Sequence, residues 1–290
     1  MKLIIFTTCK PFVGDDAWRQ EQAIISWTKL TGIEKKIIIV GNDKGIKEIC
    51  EKYNLIHRPD VKTLHGVPYL HSMLEIGASY AEENDYLLWT NSDMIYYNDM
   101  VKNIYAFNKI KQKHSLKDFC LIGGRVDWHN PRILNDLSKK HFVDNINMNE
   151  SNTTDITQLD SSFNECSKHA LCGIDYTIHS PTTFINKIDK NLVIAGARHD
   201  MILVGTSLQM KYFTCNITNT NLVIHQNHGY PKNYGHDINL DTTDERQKIL
   251  NVLVSNNRKC YGYQAWIHQS PIFTVYENNE IRFKLKVNKS

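Results

Sequence analysis

The chain lacks the patterns that identify several large classes of protein. Its seven cysteines stand singly and no Cys-x-x-Cys occurs, so neither a zinc ribbon nor a redox pair is indicated, and we expect reduced, mostly buried thiols. The formal net charge is only +3, with acidic and basic residues interspersed. This gives no case for nucleic-acid binding. No internal repeat or low-complexity tract is present.

Long hydrophobic runs are also absent. The apolar run at residues 3–6 is too short for a secretory signal, and no later stretch could span a membrane. Hydrophobic residues make up 41% and charged residues 22% of the 290, as in ordinary globular proteins. We expect a cytoplasmic protein with no transmembrane segment. One domain is predicted over residues 1–240, with a C-terminal helix and β-hairpin at 241–290 packed on it.

Strands and helices alternate in the first third of the chain. Predicted strands cover 2–8, 36–40 and the apolar stretch that ends at Asp93, and predicted helices cover 16–30, 45–53 and a segment opening at 65–68 with Pro68 in its first turn. This alternation predicts an α/β fold with a doubly wound, mostly parallel central sheet.

The second half is less regular. Further elements are predicted as a strand at 119–125 running into two glycines, a long loop or insertion at 144–165, a strand at 221–228, a helix at 244–254 and a hairpin of 272–276 with 281–287.

Polar side chains follow three of the predicted strands. Thr8 and Lys10 end the first, Asp43 follows the second, and residues 91–93 follow the third. Ligands of doubly wound sheets sit beyond the carboxyl ends of the strands. We therefore expect these exits to converge on one nucleotide-sized crevice.

Asn91, Ser92 and Asp93 form a short acidic motif at a strand end. Alone it would be an ordinary polar turn, but in this context it is typical of a divalent-cation site that neutralises two phosphates, with Asp93 as the ligand. His225 and His228 are either hydrogen-bonded structural residues or metal ligands. Residues three apart in a strand face opposite sides, so we expect one ligand rather than two. A carboxylate and imidazole set suits Mn²⁺ better than Ca²⁺, and Mg²⁺ stays open.

Asp200 precedes an apolar helical run. It is either the N-cap of that helix or a general base that removes a proton from an acceptor hydroxyl. Asp175 is a weaker candidate for the same role and is otherwise structural.

Five short motifs occur in a fixed order, and together they resemble the nucleotide-diphospho-sugar transferases of the GT-A fold. More narrowly, they are similar to family 2-like glycosyltransferases with an Asn-x-Asp variant of the Asp-x-Asp metal motif. The resemblance covers residues 2–230. The motifs are Asn91-Ser92-Asp93, Gly123-Gly124-Arg125-Val126-Asp127, Gly173-Ile174-Asp175-Tyr176, Arg198-His199-Asp200 and Ile224-His225-Gln226-Asn227-His228.

The resemblance implies transfer of a sugar from a nucleotide diphosphate donor to a hydroxyl of a glycan or other acceptor. Asp93 and a histidine of the 225–228 segment would hold Mn²⁺ or Mg²⁺, and Asp200 as the base would give inversion. The implied donor-binding residues are Thr8, Lys10 and Asp43 at the nucleoside, Asn91 and Ser92 beside the metal ligand, and Arg198 near donor or acceptor. Asn91 replaces the usual first acid, and His199 replaces an aromatic residue.

Two other classes stay open. A nucleotidyltransferase acting on a sugar phosphate would share the α/β nucleotide site, but residues 8–14 are a poor version of its glycine-rich basic loop. A non-catalytic carbohydrate-binding protein is the other alternative, supported by the tyrosines, the tryptophans and Asn91.

Overall fold

The structure is a computed structural model. It describes residues 1–128, 166–169, 173–194, 198–227, 245–278 and 280–286. The predicted loop at 144–165 and the candidate ligand His228 lie outside these ranges.

Six α-helices and fifteen strands are present in the described residues. The helices are α1 (Gly14–Lys29), α2 (Ile46–Tyr53), α3 (Leu70–Ser79), α4 (Asp99–Lys113), α5 (His199–Gln209) and α6 (Glu245–Lys259). The strands are β1 (Lys2–Thr8), β2 (Glu34–Val40), β3 (Ile56–Arg58), β4 (Thr63–Leu64), β5 (Val67–Pro68), β6 (Tyr86–Thr90), β7 (Met94–Tyr96), β8 (Phe119–Ile122), β9 (Val126–Trp128), β10 (Cys166–Lys168), β11 (Tyr176–His179), β12 (Phe213–Asn216), β13 (Val223–Gln226), β14 (Ile272–Glu277) and β15 (Glu280–Leu285). None of the helices in the described ranges has both the length and the apolar character that a bilayer crossing needs.

Nine strands form the central sheet, in the order β15-β14-β12-β8-β11-β6-β1-β2-β3. β1 lies between β2 and β6 and is parallel to both. Only β11, which runs against both its neighbours, and the edge strand β15 break the parallel pattern. The predicted α/β class with a mostly parallel sheet is therefore confirmed, as is the C-terminal hairpin.

Two apolar cores cover the two faces of this sheet. Alternate residues of β1 point to opposite faces, so Leu3 and Ile5 enter one core and Ile4 and Phe6 the other. Helices α1, α2 and α4 supply the first core, and α3 and α5 supply the second. The sheet is thus doubly wound, with helices on both faces. A ligand can therefore approach it at the polar ends of its strands.

A second, four-stranded sheet has the order β10-β9-β13-β7 and was not predicted. The strand expected at 221–228 is β13, which belongs to this small sheet rather than to the central one. The register pairs His225 with Met94 on one side and with Asp127 on the other. The small sheet therefore brings four distant chain segments together.

One local prediction is wrong, and one of the two alternatives for Asp200 is excluded. Pro68 does not lie in the first turn of a helix, because Val67 and Pro68 form β5 with residues 63–64, and α3 begins at Leu70. Asp200 is not a helix N-cap, since Arg198 occupies that position and α5 begins at His199.

Candidate active site

The acidic motif lies in the turn between β6 of the central sheet and β7 of the small sheet. The N–H of Asn91 donates to the carbonyl of Asp175 at 2.9 Å, and its side-chain amide donates to the Asp175 carboxylate at 2.8 Å. The indole N–H of Trp27 donates to the carbonyl of Met94 at 2.8 Å and holds the far side of the turn. Asp93 is therefore presented from a turn that is fixed at both ends.

Asp93 and His225 face each other across this end of the fold. His225 is 2% exposed, and its Nε2 lies 3.5 Å from Asp93 Oδ2. Its Nδ1 lies 3.0 Å from Asp127 Oδ1. Burial lowers the pKa of His225, but the contacts with Asp127 and Asp93 outweigh this effect and raise that pKa to about 9. The imidazole is thus held between two carboxylates.

Asp127 and Arg125 organise the buried side of the site. Asp127 accepts hydrogen bonds from Arg125 Nε at 2.8 Å and from His225, and its other oxygen lies 2.6 Å from His169 Nδ1. Arg125 also pairs with Asp175. Burial would raise the pKa of Asp127, but the contacts from His225, Arg125 and His169 hold it well below its usual range. Asp127 is therefore a permanent carboxylate that orients both imidazoles.

Close packing at one glycine supports this cluster. A Cβ at Gly173 would lie 2.4 Å from Cδ2 of His169 and 3.4 Å from Cζ of Arg125. A Cβ here would overlap the His169 ring but would meet Arg125 at an ordinary contact distance, so the glycine leaves room for His169 beside Asp127.

Asp93 and His225 are spaced as two ligands of one divalent cation would be, and His225, whose pKa is raised to about 9, would have to release its proton to bind that cation. Two ligand atoms bound at about 2.1 Å with angles of about 90–110° lie about 3.0–3.4 Å apart, close to the 3.5 Å between Asp93 Oδ2 and His225 Nε2. Metal-binding imidazoles commonly contact a carboxylate through their other ring nitrogen, as His225 contacts Asp127 through Nδ1. Among the described residues, no group of three or more His, Cys, Asp or Glu is placed to hold a metal. A cation here would need phosphate oxygens or water as further ligands, as Mg²⁺ sites commonly do.

The carboxyl ends of β1 and β2 lie at the same edge of the central sheet as the end of β6. Thr8 Oγ1 donates to the carbonyl of Val40 at 2.9 Å. A Cβ at Gly41, which has φ +102°, would lie 3.2 Å from Thr8 Oγ1 and 4.0 Å from Asp43 Oδ2. Partial burial raises the pKa of Asp43. The side chains of Thr8 and Asp43 therefore both lie near Gly41, and no Cβ at Gly41 fills the space beside them.

Gln20, in α1, joins the predicted donor-binding residues to the acidic turn. Its Oε1 accepts the Lys10 N–H at 2.7 Å and the Ser92 hydroxyl at 2.9 Å, and its Nε2 donates to the carbonyl of Lys10 at 3.0 Å. Lys10 is exposed, and its ammonium lies 3.6 Å from Asp16. The buried Gln20 amide thus sets the distance between Lys10, which follows β1, and Ser92, which follows β6.

Asp200 lies in the first turn of α5, close enough for the Asp175 charge to act on it. Burial raises the pKa of Asp200, with a smaller contribution from Asp175, while His199 and the Met201 N–H at 2.8 Å act in the opposite direction. Arg198 begins the helix at φ +91°, an unfavourable conformation for a residue with a Cβ. Within the described ranges its side chain makes no hydrogen bond or ion pair. Strained backbone of this kind concentrates at functional sites.

The structure connects five of the ten predicted site residues through named contacts. Asp93 contacts His225, Asn91 contacts Asp175, and Ser92 shares Gln20 with Lys10. The sequence reasoning assigned no task to several residues that hold this arrangement together: Gln20, Arg125, Asp127, His169 and Gln226. Gln226 donates to the carbonyls of Arg19 at 2.8 Å and Asp93 at 3.2 Å. The motif order pointed to Arg125 and Asp127, whereas nothing local distinguishes Gln20 or His169.

No protein-family model and no curated protein matches the chain. Solved structures with a related arrangement include Staphylococcus aureus TarS 1–349 in complex with UDP-GlcNAc, at 13% identity and a TM-score of 0.46, covering 88% of this chain and 72% of that one. Glucosyl-3-phosphoglycerate synthase from Mycobacterium tuberculosis, in complex with Mn²⁺, UDP and phosphoglyceric acid, has 10% identity and a TM-score of 0.42, covering 98% and 86%.

Another TarS 1–349 structure, with UDP, matches at 18% identity and a TM-score of 0.34. The matched region covers 44% of this chain and only 36% of that one, so the chain spans about a third of it. Since all these identities and TM-scores are low, we infer function from the residues of the site.

Proposed function

We propose that the chain is a metal-dependent glycosyltransferase of the GT-A type, which moves a sugar from a nucleotide diphosphate sugar to a hydroxyl acceptor with inversion at the anomeric carbon. The main supporting observation is the 3.5 Å separation of Asp93 Oδ2 and His225 Nε2, with Asp127 orienting the imidazole. Asp93 follows the carboxyl end of β6, a strand parallel to β1 in the central sheet, where nucleotides bind in such sheets, and His225 faces it from β13 of the small sheet.

The donor would lie along the strand exits. Asp43, Thr8 and Lys10 would contact the nucleoside at the ends of β2 and β1, while Arg198 would supply a cationic group near the donor or the acceptor. Asp93 and His225 would hold Mn²⁺ or Mg²⁺, which when bound neutralises the diphosphate leaving group. Asn91 and Ser92 keep their side chains bonded to Asp175 and Gln20, so their contribution is to hold the turn as the donor binds.

Asp200 would remove the proton from the acceptor hydroxyl. As the acceptor oxygen forms its bond to the anomeric carbon, the bond from that carbon to the phosphate oxygen breaks, the proton passes to Asp200 and the nucleoside diphosphate leaves. Burial raises the pKa of Asp200, which makes its carboxylate a stronger base. Attack from the side opposite the leaving group gives inversion.

The decisive experiment measures donor binding and turnover together. Calorimetry with UDP-GlcNAc and UDP-glucose, with and without MnCl₂, is expected to show tighter donor binding when the metal is present. Anomer-resolved NMR of the product would then test inversion against a panel of glycan acceptors. Turnover of nucleoside triphosphate with a sugar phosphate would instead identify a nucleotidyltransferase, and sugar binding without nucleotide binding would identify a carbohydrate-binding protein.

A further inference from the structure

A shallow groove of about 350 Å³ lies at the C-terminal end of α5. Its lining residues are Leu208, Gln209, Tyr263 and Gln269. Asp200 lies in the first turn of α5 and Gln209 is the last residue of that helix, so the groove begins about 13 Å along the helix axis from Asp200. It is therefore separate from the candidate active site.

The segment that contains Tyr263 packs directly on α5. A Cβ at Gly205 would lie 1.6 Å from the carbonyl oxygen of Tyr263, and a Cβ at Gly262 would lie 2.9 Å from Ile202. The N–H of Ala265 donates to the carbonyl of Met201 at 3.1 Å. The backbone on both sides of Tyr263 is thus held against the helix, yet this tyrosine is 52% exposed. A large aromatic side chain on fixed backbone gives contact area at a small entropic cost.

The polar groups of the groove are neutral and available. Gln269 Oε1 accepts the N–H of Trp266 at 2.7 Å, which orients the amide and leaves its NH₂ group to donate elsewhere. Within the described ranges, the Gln209 amide and the Tyr263 hydroxyl make no hydrogen bond. None of the four lining side chains is charged. The groove therefore combines an aromatic ring with several neutral donors and acceptors.

We propose that this groove binds a neutral oligosaccharide at a site separate from catalysis. A sugar ring has an apolar face of C–H groups, which stacks on an aromatic ring, and equatorial hydroxyls, which pair with amides. Anionic ligands such as phosphates or nucleic acids would need lysine or arginine, and in the described part of the chain neither is among the lining residues. The proposal does not depend on the catalytic function, although a glycan-processing enzyme would gain from such a second contact.

Calorimetry on the full chain tests the groove with three neutral probes: maltohexaose, cellohexaose and chitohexaose. We expect at least one to bind at millimolar concentration, and Tyr263→Ala to weaken that binding about tenfold. Tyr261→Ala is the matched control, because Tyr261 is 69% exposed in the same segment and does not line the groove. The proposal is overturned if no probe binds, if Tyr263→Ala has no effect, or if Tyr261→Ala weakens binding equally.

A second variant separates this site from the candidate active site. Asp93→Ala is expected to abolish metal-dependent donor binding and to leave binding of the oligosaccharide unchanged. If Asp93→Ala or saturating UDP with Mn²⁺ removed the oligosaccharide signal, the probe would be occupying the catalytic crevice, and the groove would not be its site. Failure of donor binding in the wild type would count against the glycosyltransferase and leave the groove proposal standing.

Discussion

At the scale of single residues, Asp93 is the side chain on which the proposed chemistry most depends. Its carboxylate faces His225 at 3.5 Å, and the turn that presents it is held by Asp175 and Trp27. Replacement by alanine removes the carboxylate and leaves these anchors in place. We expect Asp93→Ala to lose metal-dependent turnover by at least about 100-fold, because loss of a metal ligand should cost more than the roughly 10–100-fold typical of an outer-shell partner, with unfolding by urea little changed.

The matched control for Asp93→Ala is Glu82→Ala. Glu82 is 79% exposed and pairs with Lys2 at the amino end of β1, whereas the site lies at the carboxyl ends of the strands. We expect it to keep wild-type activity. If turnover is unchanged in Asp93→Ala, the proposed metal dependence through Asp93 is wrong.

Asp127 should act through His225 rather than by direct contact with the donor. Asp127→Asn keeps the size of the side chain but replaces a carboxylate that accepts from Arg125 and faces two imidazoles. Loss of an outer-shell carboxylate typically weakens metal affinity about 10–100-fold. We expect a shift of that size in the Mn²⁺ concentration that gives half-maximal turnover, with partial recovery of the rate at saturating Mn²⁺. If the Mn²⁺ concentration for half-maximal turnover does not change in Asp127→Asn, then Asp127 has only a structural role.

Asp200 should control the acid side of the pH profile. Burial raises its pKa, so the carboxylate is protonated, and the base lost, at a higher pH than the usual aspartate value of about 3.9. Activity should therefore fall as pH decreases through that raised pKa, and Asp200→Asn should lower kcat about 10²- to 10⁴-fold while donor binding is retained. Steady-state rates from pH 4 to 8 test this, and near-normal turnover in Asp200→Asn would rule out the base.

The sequence alone predicted the residues at strand ends, because polar side chains after an apolar run are a local signal. Asp93, Thr8 and Asp43 were found in this way. Gln20 and His169 have no such signal: Gln20 lies in the middle of a helix, and its partner Ser92 is 72 residues away. Which polar side chain contacts which depends on helix and loop placement that no short pattern encodes.

At the scale of elements, the central sheet could be predicted from local sequence patterns, whereas the small sheet could not. Seven-residue strands such as β1 and β2 are apolar enough to be recognised, and the hairpin of β14 and β15 has a turn signal. The strands of the small sheet have only three or four residues. A strand of that length shows at most two alternations, so its pairing is set by tertiary contacts.

The contact between α5 and the segment after α6 should be sensitive to one added methyl group. A Cβ at Gly205 would meet the Tyr263 carbonyl at 1.6 Å, whereas a Cβ at Gly77 in α3 would meet the Phe6 ring at 2.9 Å. Overpacking typically costs about 1–3 kcal/mol, and a backbone carbonyl on a packed segment yields less than a ring. We expect Gly205→Ala to lower the free energy of unfolding more than Gly77→Ala does, as measured by urea denaturation. The reverse order would mean that the segment shifts freely on α5.

At the scale of the whole molecule, donor and metal should stabilise the fold together. A ligand at 100 times its Kd adds about 2.7 kcal/mol to the free energy of unfolding. For a chain of 290 residues this corresponds to a rise in Tm of about 5 °C. Because the metal would complete its coordination with diphosphate oxygens, neither component alone should give the full effect.

Thermal unfolding of the wild type with UDP, with MnCl₂ and with both therefore tests the coupling directly. We expect the rise with both components to exceed the sum of the separate rises. In Asp93→Ala the excess should vanish, because the carboxylate that would link the cation to the fold is gone, while Glu82→Ala should retain it. Equal shifts in wild type and Asp93→Ala would mean that the nucleotide binds away from the turn after β6.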